Sequence, residues 1–206
     1  MKKAIFGGTF DPVHRGHIEI VRAVLDGGYS DRVIVLPAWE PPHKKSVHTE
    51  YIHRLKMTEL AFDGMKNVEV SDLESVWCFE PSYSIRVLGA FRDLYPGDTI
   101  QMIIGGDSLK NFASWYKPQE LAENFEFLIY PRAGEDCDWG GLEAVVGSQI
   151  AGKMRSNIIK APFFEISSTI LRKKLANCEN AANFITEDVL NYIKEKNLYK
   201  NHQGEI

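Results

Sequence analysis

Cysteine is scarce in this 206-residue chain: Cys78, Cys137 and Cys178 stand far apart, odd in number and without a C-x-x-C pair. That scarcity argues against a disulfide framework and against a structural zinc site. Long apolar runs are lacking too, and none approaches the ~18 residues a membrane-spanning helix needs. The opening Met1-Lys2-Lys3-Ala4-Ile5-Phe6 is basic and then apolar, but it breaks at Gly7, too soon for a signal h-region. A cytoplasmic protein without a membrane partner is therefore expected. An excess of positive charge is missing as well: 24 Lys and Arg face 28 Asp and Glu, for a formal net charge of -4. Such a balance does not suit a protein that coats nucleic acid, so any anion site must be local. Internal repeats and low-complexity tracts are absent, which removes solenoids and linker-rich chains.

What is present is a hydrophobic fraction of 44%, enough for a core, in a length that suits one domain over 1–206. Apolar, β-branched runs recur at Ile5-Phe6, Val33–Leu36, Val68–Val70, Ile100–Ile104 and Phe127–Tyr130, with a further short one at Ile158-Ile159. Helix-period segments lie between most of them: His17–Leu25, Tyr51–Phe62, Ser84–Leu94, Pro118–Asn124, Leu142–Met154, Thr169–Ala176 and Glu187–Lys196. Alternation of this kind predicts a parallel sheet covered on both faces. In the third helix Val87, Leu88, Phe91, Leu94 and Tyr95 share one face. The stretch "LPAWEPPHKKS", 36–46, carries too much proline for helix or strand and reads as a loop after the second strand.

The densest chemistry follows the first strand, in "GGTFDPVHRGH", residues 7–17. Gly7-Gly8-Thr9-Phe10 lets backbone N–H groups approach a ligand closely. A helix starting near Arg15 adds its free N–H groups and positive dipole end, so the turn suits an anion. His14 and His17, three apart, can face the same phosphate. Two other readings stay open: a metal pair, although H-x-x-H lacks the acidic residue and third ligand of hydrolytic sites, and histidines that only cap or fill.

This window resembles the signature of the nucleotidyltransferase superfamily whose histidines are written H-x-G-H. Its form G-G-T-F-D-P-x-H-x-G-H resembles in particular the bacterial nicotinate mononucleotide adenylyltransferases. A second stretch, Glu165-Ile166-Ser167-Ser168-Thr169-Ile170-Leu171-Arg172, sets three hydroxyls at a helix start and an Arg one turn inside it. An N-cap explains one hydroxyl; hydroxyls, free N–H groups and a guanidinium together can hold a polyphosphate. It is similar to the family's I-S-S-T-x-x-R. Pro41-Pro42-His43-Lys44 matches the family's P-P-H-K loop, against the alternative of a plain basic surface loop. Ile104-Gly105-Gly106-Asp107-Ser108-Leu109, followed by Trp115, resembles its G-x-D-S-L…W block. Asp107 can accept from ribose hydroxyls, and Trp115 offers either a flat face for a pyridine ring or a core side chain. "DVLNYIKEKNLY", 188–199, is similar to the family's closing helix. One block departs: where the family has S-Y-T and then an acidic residue, this chain reads Ser82-Tyr83-Ser84-Ile85-Arg86.

The resemblance implies a Rossmann-like, doubly wound α/β sheet with a small helical C-terminal part, about 166–206. It implies transfer of AMP from ATP to nicotinate mononucleotide, with His14, His17, Lys44 and Arg172 as catalytic residues. ATP would be bound by Gly7, Gly8, Thr9, Phe10, His14, His17, Gly105, Asp107, Ile166, Ser167, Ser168, Thr169 and Arg172. Asp11, Ser84, Arg86, Trp115 and Tyr116 would bind the acceptor. Mg²⁺ would arrive with ATP, with no metal cage of the protein's own. A homo-oligomer stays open. The alternatives are another adenylyl- or cytidylyltransferase with a different phosphate acceptor, and a nucleotide-binding regulator without turnover.

Overall fold

Val33-Ile34-Val35-Leu36 has no polar face, and all four residues are buried to 2% exposure or less. A run of that kind is stable only in a strand covered on both sides, where each such side chain contributes ~1.5–3 kcal/mol by leaving water. In the computed structural model, which describes residues 1–40, 49–79, 81–131, 137–161 and 166–200, this run is the second strand of a parallel sheet. The strands are β1 (Lys2–Gly8), β2 (Arg32–Pro37), β3 (Val68–Val70), β4 (Thr99–Gly105) and β5 (Glu126–Tyr130), in the order β3-β2-β1-β4-β5. The chain therefore steps outward from β1 to β3, returns to the other side of β1, and steps outward again. β1 and β4 flank the switch point, and ligands of such sheets bind at the carboxyl ends there.

The helices are α1 (Arg15–Asp26), α2 (Tyr51–Phe62), α3 (Leu73–Trp77), α4 (Ser84–Leu94), α5 (Gly106–Lys110), α6 (Pro118–Asn124), α7 (Trp139–Val146), α8 (Ser148–Ser156), α9 (Ser168–Ala176) and α10 (Glu187–Glu195). Alternate strand residues feed two cores. Ala4, Phe6, Val33, Val35, Ile103 and Leu128 pack with α1, α2 and the C-terminal α9 and α10. Ile5, Ile34, Leu36, Ile104, Phe127 and Ile129 pack with α4, α6, α7 and α8. The expected doubly wound architecture is what forms, with α9 and α10 seated on the α1 and α2 face.

Several local expectations need correction. The single helix expected over Leu142–Met154 is two, parted at Gly147, whose φ of 80° a side chain would strain. Ile158 makes one parallel bridge to Ile129 and no strand. Leu94, at the last position of α4, is 48% exposed, and Tyr95 takes the packing place beside Phe91. The short helices α3 and α5 carry too few turns to show a period.

Candidate active site

β1 ends in a turn pinned from inside. Phe10 adopts a left-handed φ of 49° and drives its ring into the core at 2% exposure. A Cβ at Gly8 would stand 2.9 Å from that ring and force it to shift, whereas the space around Gly7 is open. The chain then reaches α1 with His14 as an extended N-cap, φ -145°. The His14 backbone N–H donates to His17 Nδ1 at 3.1 Å. A neutral His17 accepting there carries its proton on Nε2, which makes that nitrogen a donor. The two imidazoles stack with centroids 3.7 Å apart, and His17 rests against the edges of Phe10 and Phe6. His14 is buried and His17 half-buried.

The start of α9 docks on this turn from 156 residues away. Its three hydroxyls take three tasks. Ser167 caps the helix, accepting from the Ile170 N–H at 3.3 Å. Ser168 Oγ donates to the Pro12 carbonyl at 2.9 Å. Thr169 Oγ1 receives Arg172 Nη2 at 3.3 Å, while Arg172 Nη1 donates to the Asp11 carbonyl at 2.6 Å. Ile166 packs half-buried against the core beneath them. The two stretches that the sequence singles out are thus brought together around one turn. Asp11, 2% exposed, turns its carboxylate to the Tyr199 hydroxyl at 2.6 Å, with Arg172 3.9 Å away, and so stands beside the α9 residues.

At the neighbouring strand end, Gly105 closes β4 where a Cβ would lie 2.4 Å from Asp107 Oδ1 and 3.2 Å from the Tyr130 ring. Asp107 Oδ1 accepts from the Ser108 N–H at 3.0 Å in the first turn of α5, and Asp107 remains exposed. Trp115 is half-buried and leans on Phe112 with centroids 5.2 Å apart. The next residue, Tyr116, is 42% exposed and stacks on Tyr83 at 4.3 Å and 16°. Arg86 lies over the other partner of that stack, 5.5 Å from the Tyr83 centroid, exposed and without an ion pair among the described residues. Tyr83 caps α4 just before Ser84. The sequence reading passed over Tyr83, although its place beside Ser84 was the available signal.

Arg54 was also missed. It is 1% exposed, and its guanidinium serves four carbonyls: Nη1 donates to Thr9 (2.9 Å) and Ala38 (2.8 Å), Nη2 to Trp39 (3.3 Å) and Nε to Thr49 (3.2 Å). It takes over where the β1–β2 ladder ends, joining the turn after β1 to the chain on both sides of 41–48. Burial pulls its pKa below the usual arginine value, against the opposing charge of Asp11. Glu74 grips the same stem, accepting the Trp39 N–H at 2.7 Å. Burial pushes its carboxyl above the usual range, partly offset by that N–H. A charge among Met57, Thr58 and Ala61 on the buried face of α2 was the signal that could have found Arg54. Lys44 falls in 41–48, outside the described residues. A cavity of about 660 Å³ lies beside Thr169 and Arg172; His14, His17 and Gly105 do not line it, so it flanks the turn.

Residues 5–174 match the model of the cytidylyltransferase-like family. A chain of Caldicellulosiruptor bescii named "Probable nicotinate-nucleotide adenylyltransferase" is 31% identical over 97% of this chain and 100% of its own length. One of Clostridium kluyveri with the same name is 33% identical over 97% and 100%. Among solved structures, Plasmodium falciparum nicotinic acid mononucleotide adenylyltransferase complexed with NaAD superposes with a TM-score of 0.77 at 22% identity, covering 96% of this chain and 97% of that one. That likeness speaks for the fold, and the sequence relatives speak for the branch. The chain belongs to the cytidylyltransferase-like family and groups there with the nicotinate-nucleotide adenylyltransferases.

Proposed function

We propose that the chain transfers the adenylyl group of ATP to nicotinate mononucleotide, giving the deamido form of NAD and pyrophosphate. The observation that carries this reading is the docking of the α9 start, with Arg172, onto the turn that holds His14 and His17. Full-length likeness to chains named for this activity supports the choice of acceptor.

An oxygen of the acceptor's phosphate attacks the α-phosphorus, and the bond from that phosphorus to the bridging oxygen of pyrophosphate breaks. The attacking oxygen is already ionised at neutral pH, so no general base is required. Positioning and charge stabilisation do the catalysis. His17 donates from Nε2 to the triphosphate and His14 stacks beside His17, while the Arg15 N–H is already given to the Phe184 carbonyl at 2.8 Å and the His17 N–H to the His14 carbonyl at 2.9 Å. Arg172 and Lys44 balance the departing pyrophosphate. ATP enters as its Mg²⁺ complex. The ion would be held mainly by phosphate oxygens and water, since Mg²⁺ gives up its hydration shell reluctantly. The acceptor's ring lies against Trp115 and the Tyr83–Tyr116 stack, with Ser84 and Arg86 at its carboxylate. No described helix is long and apolar enough to cross a membrane.

Pyrophosphate release, measured with ATP or CTP against nicotinate mononucleotide, nicotinamide mononucleotide, phosphopantetheine and glycerol phosphate, tests the reading. Turnover is expected with ATP and nicotinate mononucleotide. Preference for phosphopantetheine or glycerol phosphate selects another transferase, and binding of ATP without release selects a regulator.

A further inference from the structure

The stretch 187–200 has no task in the chemistry described so far. It is nevertheless folded back with care. α10 is fastened to α2 by a hydrogen bond between Tyr192 Oη and His53 Nδ1 at 2.8 Å. Beyond it, Asn197 and Tyr199 both take left-handed φ values, 52° and 63°, and the Leu198 N–H returns to the Ile193 carbonyl at 3.0 Å. This hook sends the Tyr199 ring inward, to a hydrogen bond with an Asp 188 residues earlier in sequence.

Asp11 lies between two donors. Tyr199 donates to its Oδ1 at 2.6 Å, and Arg172 Nη1 donates at 2.6 Å to its backbone carbonyl. The Arg172 Nη1 to Asp11 Oδ2 separation stays at 3.9 Å. A carboxylate and a guanidinium this close ordinarily close into a two-bond fork, the strongest pairing either can make in a buried place. Here the carboxylate is turned toward the tyrosine. The Tyr199 hydroxyl is pushed far above its usual range by burial and by the Asp11 charge, so it remains a donor throughout the working pH range. Arg172 and Tyr199 also line the same 660 Å³ cavity that flanks the turn, and both reach the turn itself through Asp11.

We infer that Tyr199 is a positioning residue: by occupying Asp11 Oδ1 it keeps that carboxylate from closing a fork on Arg172, and so leaves the guanidinium, held through Nη1 on the Asp11 carbonyl and Nη2 on Thr169, its remaining N–H groups to meet the phosphates. This rests on the reading of Arg172 as a phosphate ligand. Without the hydroxyl, Asp11 Oδ1 loses a charge-assisted bond in a buried place, and Arg172, 3.9 Å from the carboxylate, is a cation to which it can turn, whereas the Arg54 guanidinium is committed to four carbonyls. The positive charge is then spent on Asp11 when pyrophosphate leaves.

The test is Tyr199→Phe in the full chain, assayed well below its unfolding midpoint, alone and combined with Asp11→Asn or Arg172→Ala. Alone, it is expected to lower kcat tenfold or more while KM for the acceptor stays within twofold. In the Asp11→Asn background, where no charge remains to draw Arg172, the same change is expected to lower kcat by less than twofold. The Arg172→Ala background is expected to behave likewise, because the affected group is gone. A kcat within twofold of wild type for Tyr199→Phe, or the same fold loss in all three backgrounds, overturns the inference. If Arg172→Ala itself keeps full turnover, the phosphate reading of Arg172 fails. Loss in Arg172→Ala with none in Tyr199→Phe removes only the role given to Tyr199.

Discussion

The end of the site proposed for the phosphates and the end proposed for the acceptor are built differently. Around the first turn, polar groups from α9 and the C-terminal hook reach across 156 to 188 residues of chain to bond Pro12 and Asp11, and a buried arginine holds Thr9 from behind. On the proposed acceptor side, a half-buried Tyr83 stacked on an exposed Tyr116, an exposed Arg86 and a Trp115 that leans on the core stand at the start of α4 and in the link before α6. Charge stabilisation requires donors fixed in place before the reaction, since moving them during it costs part of what they supply. Ring stacking is tolerant of small displacements, so the acceptor end needs less scaffolding. On the proposed reading, acceptor choice rests on a few side chains near the surface, while the phosphate end rests on contacts from distant parts of the chain.

The sharpest way to break this contrast is at His17. His17→Ala removes the Nε2 donor and the ring that stacks on His14, and is expected to lower kcat by ~10²–10³ with the fold retained. Steady-state turnover alongside the circular dichroism spectrum measures both; a variant with near wild-type kcat would show that the histidines only cap α1.

At the acceptor end, Trp115→Ala is expected to raise the acceptor's KM about tenfold, in line with the ~1–3 kcal/mol of a base on an aromatic ring. KM for ATP should change far less, because the ring meets one substrate. Equal effects on both substrates, together with a lower unfolding midpoint, would reduce Trp115 to its packing on Phe112.

Arg86 probes the contrast more finely. With no ion pair among the described residues, its charge is available to a carboxylate on the acceptor. The ratio of kcat/KM for nicotinate over nicotinamide mononucleotide is expected to fall about tenfold in Arg86→Ala, a loss of roughly 1.4 kcal/mol. An unchanged ratio assigns acid preference to backbone N–H groups at the start of α4.

The smallest effect belongs to Glu74, which holds the Trp39 stem by its N–H. Its folded pKa is raised by burial, so the native state binds the proton more tightly than the unfolded chain. Stability from this group is therefore greatest below the unfolded glutamate pKa of about 4.3 and declines as pH rises through the folded value. Glu74→Gln, which keeps an acceptor for Trp39 and removes the charge, is expected to raise the unfolding midpoint at pH 8 by a few degrees. The gain should vanish near pH 4, and thermal scans across that range check the sign.

Much of this was legible in the sequence. Apolar runs without a polar face dictate strands buried on both sides, and α2, α4 and α6 begin and end where periodicity and proline place them. The glycines, histidines and hydroxyls mark both phosphate stretches, because close backbone approach, helix caps and charged donors each demand particular residue types at short spacing. What only the tertiary structure decided is which distant surfaces meet: α9 on the first turn, Tyr199 on Asp11, and Arg54 beneath Thr9 and the Trp39 stem. Periodicity and local propensity describe neighbours along the chain. They carry no record of a hydrogen bond between residues 188 positions apart, whose partners are chosen by how the two cores close around the sheet.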